Sequence, residues 1–235
     1  MAKIIKKLQN TKKLKLSSQK WLLRQMNDEY TQKAKAEGFR SRASYKIIEI
    51  DEKFKIFKKN KIIVDLGAAP GGWSQYALSK VGENNIIAID LLEIEKIIGV
   101  NFLQLDFFEE NSHQIIINEL KKIPYNKYGK CNVVMSDMAA NTTGDKKTDH
   151  LRIINLVEES IELAIKILKH NGIFIAKIFQ GGSSDEIIKN LKNHFLTVKY
   201  FKPKSSRKDS SETYLIAQGF NSKYEKLNAI KKSKN

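Results

Sequence analysis

Cysteine and proline are scarce in this chain. Among its 235 residues there are three prolines and a single cysteine, Cys131. One cysteine excludes an internal disulfide, so we expect a reducing, cytoplasmic setting. No apolar run approaches the roughly 18 residues of a membrane span, and the amino terminus lacks the apolar core of a secretory signal. We therefore expect neither a membrane protein nor a secreted one.

Arginine is also rare, since only five of the 42 basic residues are arginine. The formal net charge of +16 thus comes mainly from lysine, and heavy use of isoleucine and asparagine points to compositional drift as one source. The distribution is more informative: the net charge is +11 over residues 1–60, +1 over 61–220 and +4 over 221–235. Cationic ends on a nearly neutral body are typical of an electrostatic footprint for phosphates, and solvated lysine tails are the alternative.

The stretch Lys61 to Trp73, KIIVDLGAAPGGW, predicts a strand, a glycine turn and the start of a helix. In open α/β sheets, ligands bind beyond the carboxyl ends of the strands, where glycine lets the backbone approach them and helix N–H groups face them. The loop that carries Gly71 and Gly72 is therefore a candidate nucleotide site. An ordinary glycine turn in a β-α unit is the alternative.

The glycine spacing narrows the kind of nucleotide. A dinucleotide fingerprint requires G-x-G-x-x-G, but Ala69 occupies the position of the second glycine. The phosphate-binding loop requires Lys after its last glycine, but Trp73 follows Gly72. An adenosine without phosphates, as in S-adenosylmethionine, fits better than a pyrophosphate or triphosphate.

From Lys61 onward, predicted strands alternate with helices, which indicates an α/β fold with a parallel sheet covered on both faces. No helix separates the last two strands, which allows an antiparallel edge. We expect a basic extension over residues 1–37, partly disordered or helical, a domain over 38–220 and a basic tail over 221–235. The extension should carry a helix over 21–36. Predicted strands span 61–67, 85–90, 101–106, 131–137, 172–178, 197–202 and 212–219, and predicted helices span 72–80, 109–122, 149–169 and 184–195.

Three predicted strands end in an aspartate: Asp90, Asp106 and Asp137. In a parallel sheet all three carboxylates reach the same edge as the glycine loop. Asp90, about 20 residues after the glycines, is placed to accept ribose hydroxyls, and Asp106 could accept from the adenine amine. A single strand-end aspartate is more often a turn or cap residue, but three beside a glycine loop favour a ligand site.

Lys177 interrupts the apolar run FIAKIF, which should be a central strand. A lysine is rarely buried there unless it has a partner or a chemical role. It could take a proton from a hydroxyl or stabilise the resulting oxyanion. A structural ion pair with Asp137 is the alternative, and Glu212 is a possible second carboxylate partner.

A metal site is not expected. The four histidines are scattered, there is no H-E-x-x-H pattern and there is no second cysteine. No G-x-S-x-G sequence is present, so the α/β-hydrolase elbow is excluded as well.

Several motifs together resemble the FtsJ/RrmJ family of ribosomal RNA ribose 2′-O-methyltransferases. The resemblance runs from about Gly38 to Phe220 and is strongest to the bacterial enzymes that act on the large subunit. The motifs, in chain order, are RSRASYK (40–46), VDLGAAPGGWSQY (64–76), AIDLL (88–92), GVNFLQLDF (99–107), VVMSDMA (133–139), AKIFQG (176–181) and KPKSSRKDSSETY (202–214).

This resemblance implies a Rossmann-like methyltransferase fold whose seven-stranded sheet is mostly parallel with one antiparallel edge strand. It implies S-adenosylmethionine as cofactor, S-adenosylhomocysteine as product, no metal, and as acceptor a ribose hydroxyl of a uridine in the A-loop of large-subunit ribosomal RNA, within the ribosomal subunit. We expect a monomer. The implied catalytic residues are Lys46, Asp137, Lys177 and Glu212, and the implied cofactor contacts are Gly71, Trp73, Asp90, Asp106 and Asp137.

The chain departs from the family pattern after Asp137. Ala140 stands where the bacterial enzymes usually have proline, and the loop from Thr143 to His150 is unusually charged. Both departures concern RNA recognition more than chemistry. Two alternatives stay open: methylation of a transfer RNA by the same site, and a noncatalytic RNA-binding assembly factor.

Overall fold

A computed structural model describes residues 16–139, 144–179, 184–207 and 209–221. The predictions for residues 1–15, for the tail beyond residue 221 and for Ala140 concern positions outside these ranges. None of the helices that the described residues form is long and apolar enough to cross a membrane.

The described residues form seven strands in one sheet, in the order β3-β2-β1-β4-β5-β7-β6. The strands are β1 (Ile63–Leu66), β2 (Ile86–Asp90), β3 (Val100–Gln104), β4 (Cys131–Ser136), β5 (Leu168–Phe179), β6 (Phe195–Phe201) and β7 (Glu212–Phe220). The predicted mostly parallel, seven-stranded sheet is thus confirmed. Its antiparallel strand is β7, which lies one place in from the edge, between β5 and β6.

Helices cover both faces of this sheet, as expected for a mostly parallel sheet. Within the described ranges they are α1 (Leu16–Met26), α2 (Glu29–Ala36), α3 (Ser44–Phe54), α4 (Gly72–Val81), α5 (Ser112–Lys122), α6 (Lys146–Ile167) and α7 (Ser184–His194). Buried apolar side chains of α5, α6 and α7 share one core cluster. Those of α3 and α4 belong to a second cluster.

Side-chain alternation along the strands divides the core between these two clusters. On β2, Ile87 and Ile89 belong to the cluster with α5, α6 and α7, whereas Ile86 belongs to the cluster with α3 and α4. Successive residues of a strand point to opposite faces, so a continuous apolar run serves both layers.

The chain reverses its direction across the sheet between β1 and β4. From β1 it builds outward through β2 to β3, and it then returns to place β4 on the other side of β1. Such a switch point opens a crevice beyond the carboxyl ends of the two central strands. The glycine loop follows β1 and Asp137 follows β4, so both lie at this crevice.

The prediction of a single helix over residues 21–36 is wrong, because α1 and α2 divide this region between them. α1 ends at Met26, and α2 begins after Asp28, whose carboxylate accepts the Thr31 backbone N–H at 2.8 Å. Aspartate is favoured at a helix start, where its side chain accepts from a free backbone N–H, and is disfavoured inside a helix. The Asn27-Asp28 pair therefore interrupts an otherwise helical pattern.

Ile87→Ala should lower the free energy of unfolding by about 2–5 kcal/mol, because it leaves a cavity in the centre of the sheet. Ile87 is fully buried, with an exposed fraction of 0%. The matched control is Ile98→Ala, since Ile98 is 78% exposed, and it should change stability by less than about 0.5 kcal/mol. Urea unfolding followed by circular dichroism measures both, and equal effects would contradict this description of the core.

Candidate active site

The glycine loop packs closely against the segment after β4. Gly67 has φ +73°, and a Cβ atom there would lie 2.8 Å from the Met138 backbone nitrogen. Only glycine fits this approach without a backbone shift. The loop is held from the other side because the N–H groups of Gly67 and Ala68 both donate to the carbonyl of Ile89, at 2.9 and 3.0 Å.

A cleft of about 340 Å³ opens beside this loop, which we call the anionic cleft. It brings together Asp90, Asp106 and Asp137, as their positions at strand ends predicted. Apolar side chains, including Leu92 and Phe108, complete its walls. The described residues that line it include no lysine or arginine. The cleft therefore attracts cations, accepts hydrogen bonds from hydroxyl and amino groups, and disfavours phosphate.

Asp90 and Asp106 are oriented by the backbone beside them. Asp90 accepts the N–H groups of Ala69 and Leu92, one on each carboxylate oxygen, both at 2.8 Å. Asp106 accepts the N–H of Phe108 at 3.0 Å. Each carboxylate oxygen has two lone pairs, so both side chains retain acceptor capacity toward the cleft.

A hydrogen-bonded network runs from the anionic cleft through the carboxyl end of the sheet. Lys177 Nζ lies 3.0 Å from Asp137 Oδ1 and also donates to the Asp137 carbonyl. The Tyr214 hydroxyl lies 2.8 Å from Asp137 Oδ1 and 3.3 Å from Glu212 Oε1. Glu212 Oε2 in turn accepts from Lys46 Nζ at 2.8 Å. The four predicted catalytic residues are therefore brought together, with Tyr214 between them.

The antiparallel pairing of β5 with β7 creates this network. Lys177 pairs directly with Tyr214, and Phe179 pairs with Glu212. Directly opposed residues point to the same face of a sheet, and so do residues two apart, which places Lys177, Tyr214 and Glu212 on one face. Lys46 reaches them from α3, which packs on that face.

Burial would raise the pKa of Asp137, but the charges of Lys177 and Lys46 lower it below its ordinary value, as do hydrogen bonds from Lys177 and Tyr214. Asp137 is therefore ionised at neutral pH. Burial and the nearby charges of Asp137 and Glu212 raise the pKa of Tyr214 well above its ordinary value. Its hydroxyl thus stays protonated and donates its one hydrogen mainly to Asp137, the nearer of the two carboxylates.

Gly71 and Trp73 are not among the described residues that line the anionic cleft. Gly71 precedes α4 with φ +105°. Trp73 is buried, its indole N–H donates to the Ala43 carbonyl at 2.9 Å, and its ring centroid lies 5.6 Å from that of Tyr214. Their role as cofactor contacts stays a prediction, and in this structure they support the loop and the network.

A second cavity, of about 390 Å³, opens on the side of Lys46 and Glu212. We call it the cationic cavity, because four basic side chains line it against two carboxylates. Its lining residues are Arg24, Gln25, Arg42, Lys46, Arg207, Asp209, Ser210 and Glu212. Asp137 lines the anionic cleft, and Glu212 lines the cationic cavity. The Tyr214 hydroxyl lies between these two carboxylates. The network therefore separates two chambers of opposite charge.

Sequence reasoning missed three residues that organise this site. Tyr214 joins the carboxylates, and Ser206 Oγ donates to Glu212 Oε1 at 2.9 Å. The Arg40 guanidinium donates to the carbonyls of Pro70, Glu95 and Lys96 at 3.3, 2.6 and 3.0 Å, and so ties the glycine loop to the loop after β2. Alternation along β7 could have indicated Tyr214, which lies two residues after Glu212. The contacts of Ser206 and Arg40 cross between distant segments and leave no local pattern.

The described residues contain no group of three or more His, Cys, Asp or Glu side chains arranged to hold a metal ion. The absence of a metal from the reaction stays a prediction.

Several proteins of similar sequence or structure are described as methyltransferases. The sequence profile of the family described as FtsJ-like methyltransferase matches residues 39–220. Ribosomal RNA large subunit methyltransferase E of Rickettsia akari is 56% identical over 217 residues, which cover 90% of this chain and 92% of that protein. The protein of the same name from Rickettsia canadensis is 53% identical over the same coverage. A Plasmodium falciparum crystal structure described as a ribosomal RNA methyltransferase has a TM-score of 0.68 and 33% identity, and it covers 77% of this chain and 98% of its own.

Asp65, on the strand beneath the glycine loop, provides a test of the site's electrostatics. Its carboxylate is fully buried, accepts from Ser74 Oγ at 2.6 Å and has no hydrogen-bond partner for Oδ1 among the described residues. Burial raises its pKa from the ordinary 3.8 to about 7, and the charges of Asp137 and Asp90 add to the increase. Between these two pH values the folded state binds more protons than the unfolded state, so stability falls as the pH rises.

We therefore expect Asp65→Asn to remove this fall, so that the variant gains stability relative to the unmodified protein as the pH rises from about 4 to 7. Urea unfolding across that range measures the difference. Ser74→Ala keeps the buried carboxyl and should keep the fall. Parallel stability curves for the unmodified protein and Asp65→Asn would contradict the assignment.

Proposed function

Because the chain belongs to the FtsJ-like methyltransferase family, as its motifs predicted, we propose that it methylates a ribose 2′-hydroxyl of large-subunit ribosomal RNA, using S-adenosylmethionine. The acceptor we propose is a uridine of the A-loop, within the large ribosomal subunit. One observation carries the proposal: a buried network of Lys177, Asp137, Tyr214, Glu212 and Lys46 joins an anionic cleft to a cationic cavity. Such a pair of chambers suits a cationic methyl donor and a polyanionic acceptor.

The anionic cleft supports S-adenosylmethionine as the cofactor. When bound, this cofactor supplies an activated methyl group on a cationic sulfonium. Asp90 and Asp106 would accept hydrogen bonds from the hydroxyl and amino groups of its adenosine. The lack of lysine and arginine in the described lining argues against a nucleotide phosphate there, in agreement with the glycine spacing.

The cationic cavity supports RNA as the acceptor. Lys46 lies against Glu212 at the inner end of this cavity, and both side chains are largely buried. In this proposal Lys46 would hold the target ribose or its phosphate, and Glu212 would orient the 2′-hydroxyl. Fixing the hydroxyl in this way replaces a bimolecular encounter with an oriented one, which can supply much of the acceleration.

Lys177 would act on the hydroxyl oxygen, and its ion pair with Asp137 at the carboxyl end of the sheet supports this role. A neutral amine would accept the hydroxyl proton, whereas an ammonium would donate a hydrogen bond to the developing oxyanion. The ion pair with Asp137 supports the second role. Glu212, which lines the cavity, would then be the carboxylate that receives the proton.

Lys177→Ala should abolish methyl transfer, with a loss of at least about a hundredfold, because it removes the group that acts on the hydroxyl. Binding of S-adenosylmethionine, measured by calorimetry, should stay close to that of the unmodified protein. The control is Lys169→Ala, which removes the lysine at the other end of β5 and should leave turnover unchanged. Unaltered turnover in Lys177→Ala, with its fold verified by circular dichroism, would refute this role.

The substrate is tested by labelled methyl transfer to isolated large subunits and to naked ribosomal RNA, followed by mass-spectrometric mapping of the product. We expect a single 2′-O-methyluridine in the A-loop. A methylated transfer RNA with unmodified ribosomal RNA would overturn the proposed substrate. Absence of both methyl transfer and S-adenosylmethionine binding would instead indicate a noncatalytic RNA-binding protein.

A further inference from the structure

The cationic cavity includes one basic residue from outside the segment that matches the family. Arg24 lies on α1, whereas the family profile begins at residue 39. Its guanidinium reaches the loop between β6 and β7, where Nη1 lies 3.5 Å from Asp209 Oδ2. This ion pair spans the cavity from the amino-terminal helix to the segment just before Glu212.

The other three cations of the cavity are held by largely buried partners. Arg42 pairs with Asp28 and donates to the Ser205 carbonyl, Lys46 pairs with Glu212, and Arg207 Nε lies 3.9 Å from Asp28. Arg24 differs, because its side chain is 58% exposed and that of Asp209 is 67% exposed. Arg24 is therefore held in the cavity by a solvent-exposed carboxylate, that of Asp209.

This ion pair contributes little to folding. Exposed pairs of this kind add little to stability, because solvent screens them and two long side chains lose freedom. Replacing Asp209 by another anion would therefore cost little. A phosphodiester offers the same kind of oxygen acceptors, and a guanidinium binds them with two parallel hydrogen bonds.

The cavity also contains buried donors that the protein does not satisfy. Within the described ranges, Arg42 Nε and Arg207 Nε are both buried and have no hydrogen-bond acceptor. These nitrogens are shielded from solvent, so they offer no open binding position, but their side chains add positive charge beside Arg24.

We propose that Arg24 is a phosphate-binding residue for the RNA backbone and that Asp209 occupies its guanidinium until a phosphate replaces it. The proposal rests on the RNA substrate proposed above. Under this proposal α1 contacts the RNA through Arg24, at the cationic cavity. It also makes Asp209 a competitor of the substrate rather than a support for it.

The two partners of the pair should then have opposite effects on RNA binding. Arg24→Gln should weaken the binding of naked large-subunit ribosomal RNA by about three- to tenfold and lower the slope of log affinity against log salt by about 0.7, which is the loss of one phosphate contact. Asp209→Asn should strengthen binding by about two- to fivefold. Arg24→Lys keeps the charge and should keep the salt slope. Filter binding at several salt concentrations measures all of these.

Lys166→Gln is the matched control, because Lys166 forms a comparably exposed pair with Glu162, 52% and 64% exposed at 3.9 Å, on α6. It should change neither affinity nor salt slope. Affinity for S-adenosylmethionine should be unchanged in every variant, since none of these residues lines the anionic cleft.

Equal weakening by Arg24→Gln and Asp209→Asn would overturn the proposal, because it would show that the ion pair only stabilises the structure of the cavity. No change in either variant would overturn it as well. Methyl transfer by the unmodified protein is measured in parallel. Its absence would refute the proposed function, whereas normal transfer with unaltered RNA binding in Arg24→Gln would refute only the role of Arg24.

Discussion

The ion pair between Lys177 and Asp137 is the interaction on which the candidate site depends. Both side chains are largely withdrawn from water at the carboxyl end of the central strands. Burying two charges is costly, and the cost is offset only when geometry is good and further hydrogen bonds are made. Tyr214 and the Asp137 carbonyl supply those bonds. The pair therefore requires β4, β5 and β7 to lie in one fixed register.

That register also separates the two chambers. Because β7 is inserted antiparallel between β5 and β6, it carries Glu212 to the same edge at which the parallel strands place their aspartates. Asp137 lies in the cleft with Asp90 and Asp106, and Glu212 lies among the basic residues of the cavity. A short hydrogen-bonded path thus links regions of opposite charge. Under the proposed function, this separation would distinguish a cationic donor from a polyanionic acceptor.

Local pattern determined most of the fold. Apolar runs located the central strands, because buried parallel strands must be apolar on both faces. The predicted edge strands overlap β3 and β6, although both of these are largely exposed. The prediction failed between residues 21 and 36, where helical spacing continues across Asn27 and Asp28 and the cap of α2 interrupts it. The start of β5 was also placed at 172 rather than Leu168, since Lys169, His170 and Asn171 are polar and its pairing with β4 is irregular there.

The sequence by itself determined the family, the alternation of strands and helices, and the residue types that gather at one edge of the sheet. It could do so because strand ends and glycine turns have local chemical requirements. Only the tertiary structure decided which side chains form hydrogen bonds and ion pairs with one another. Tyr214 between two carboxylates, Arg40 across two loops and Arg24 opposite Asp209 all join segments distant in the chain, and such contacts depend on register and packing rather than on spacing.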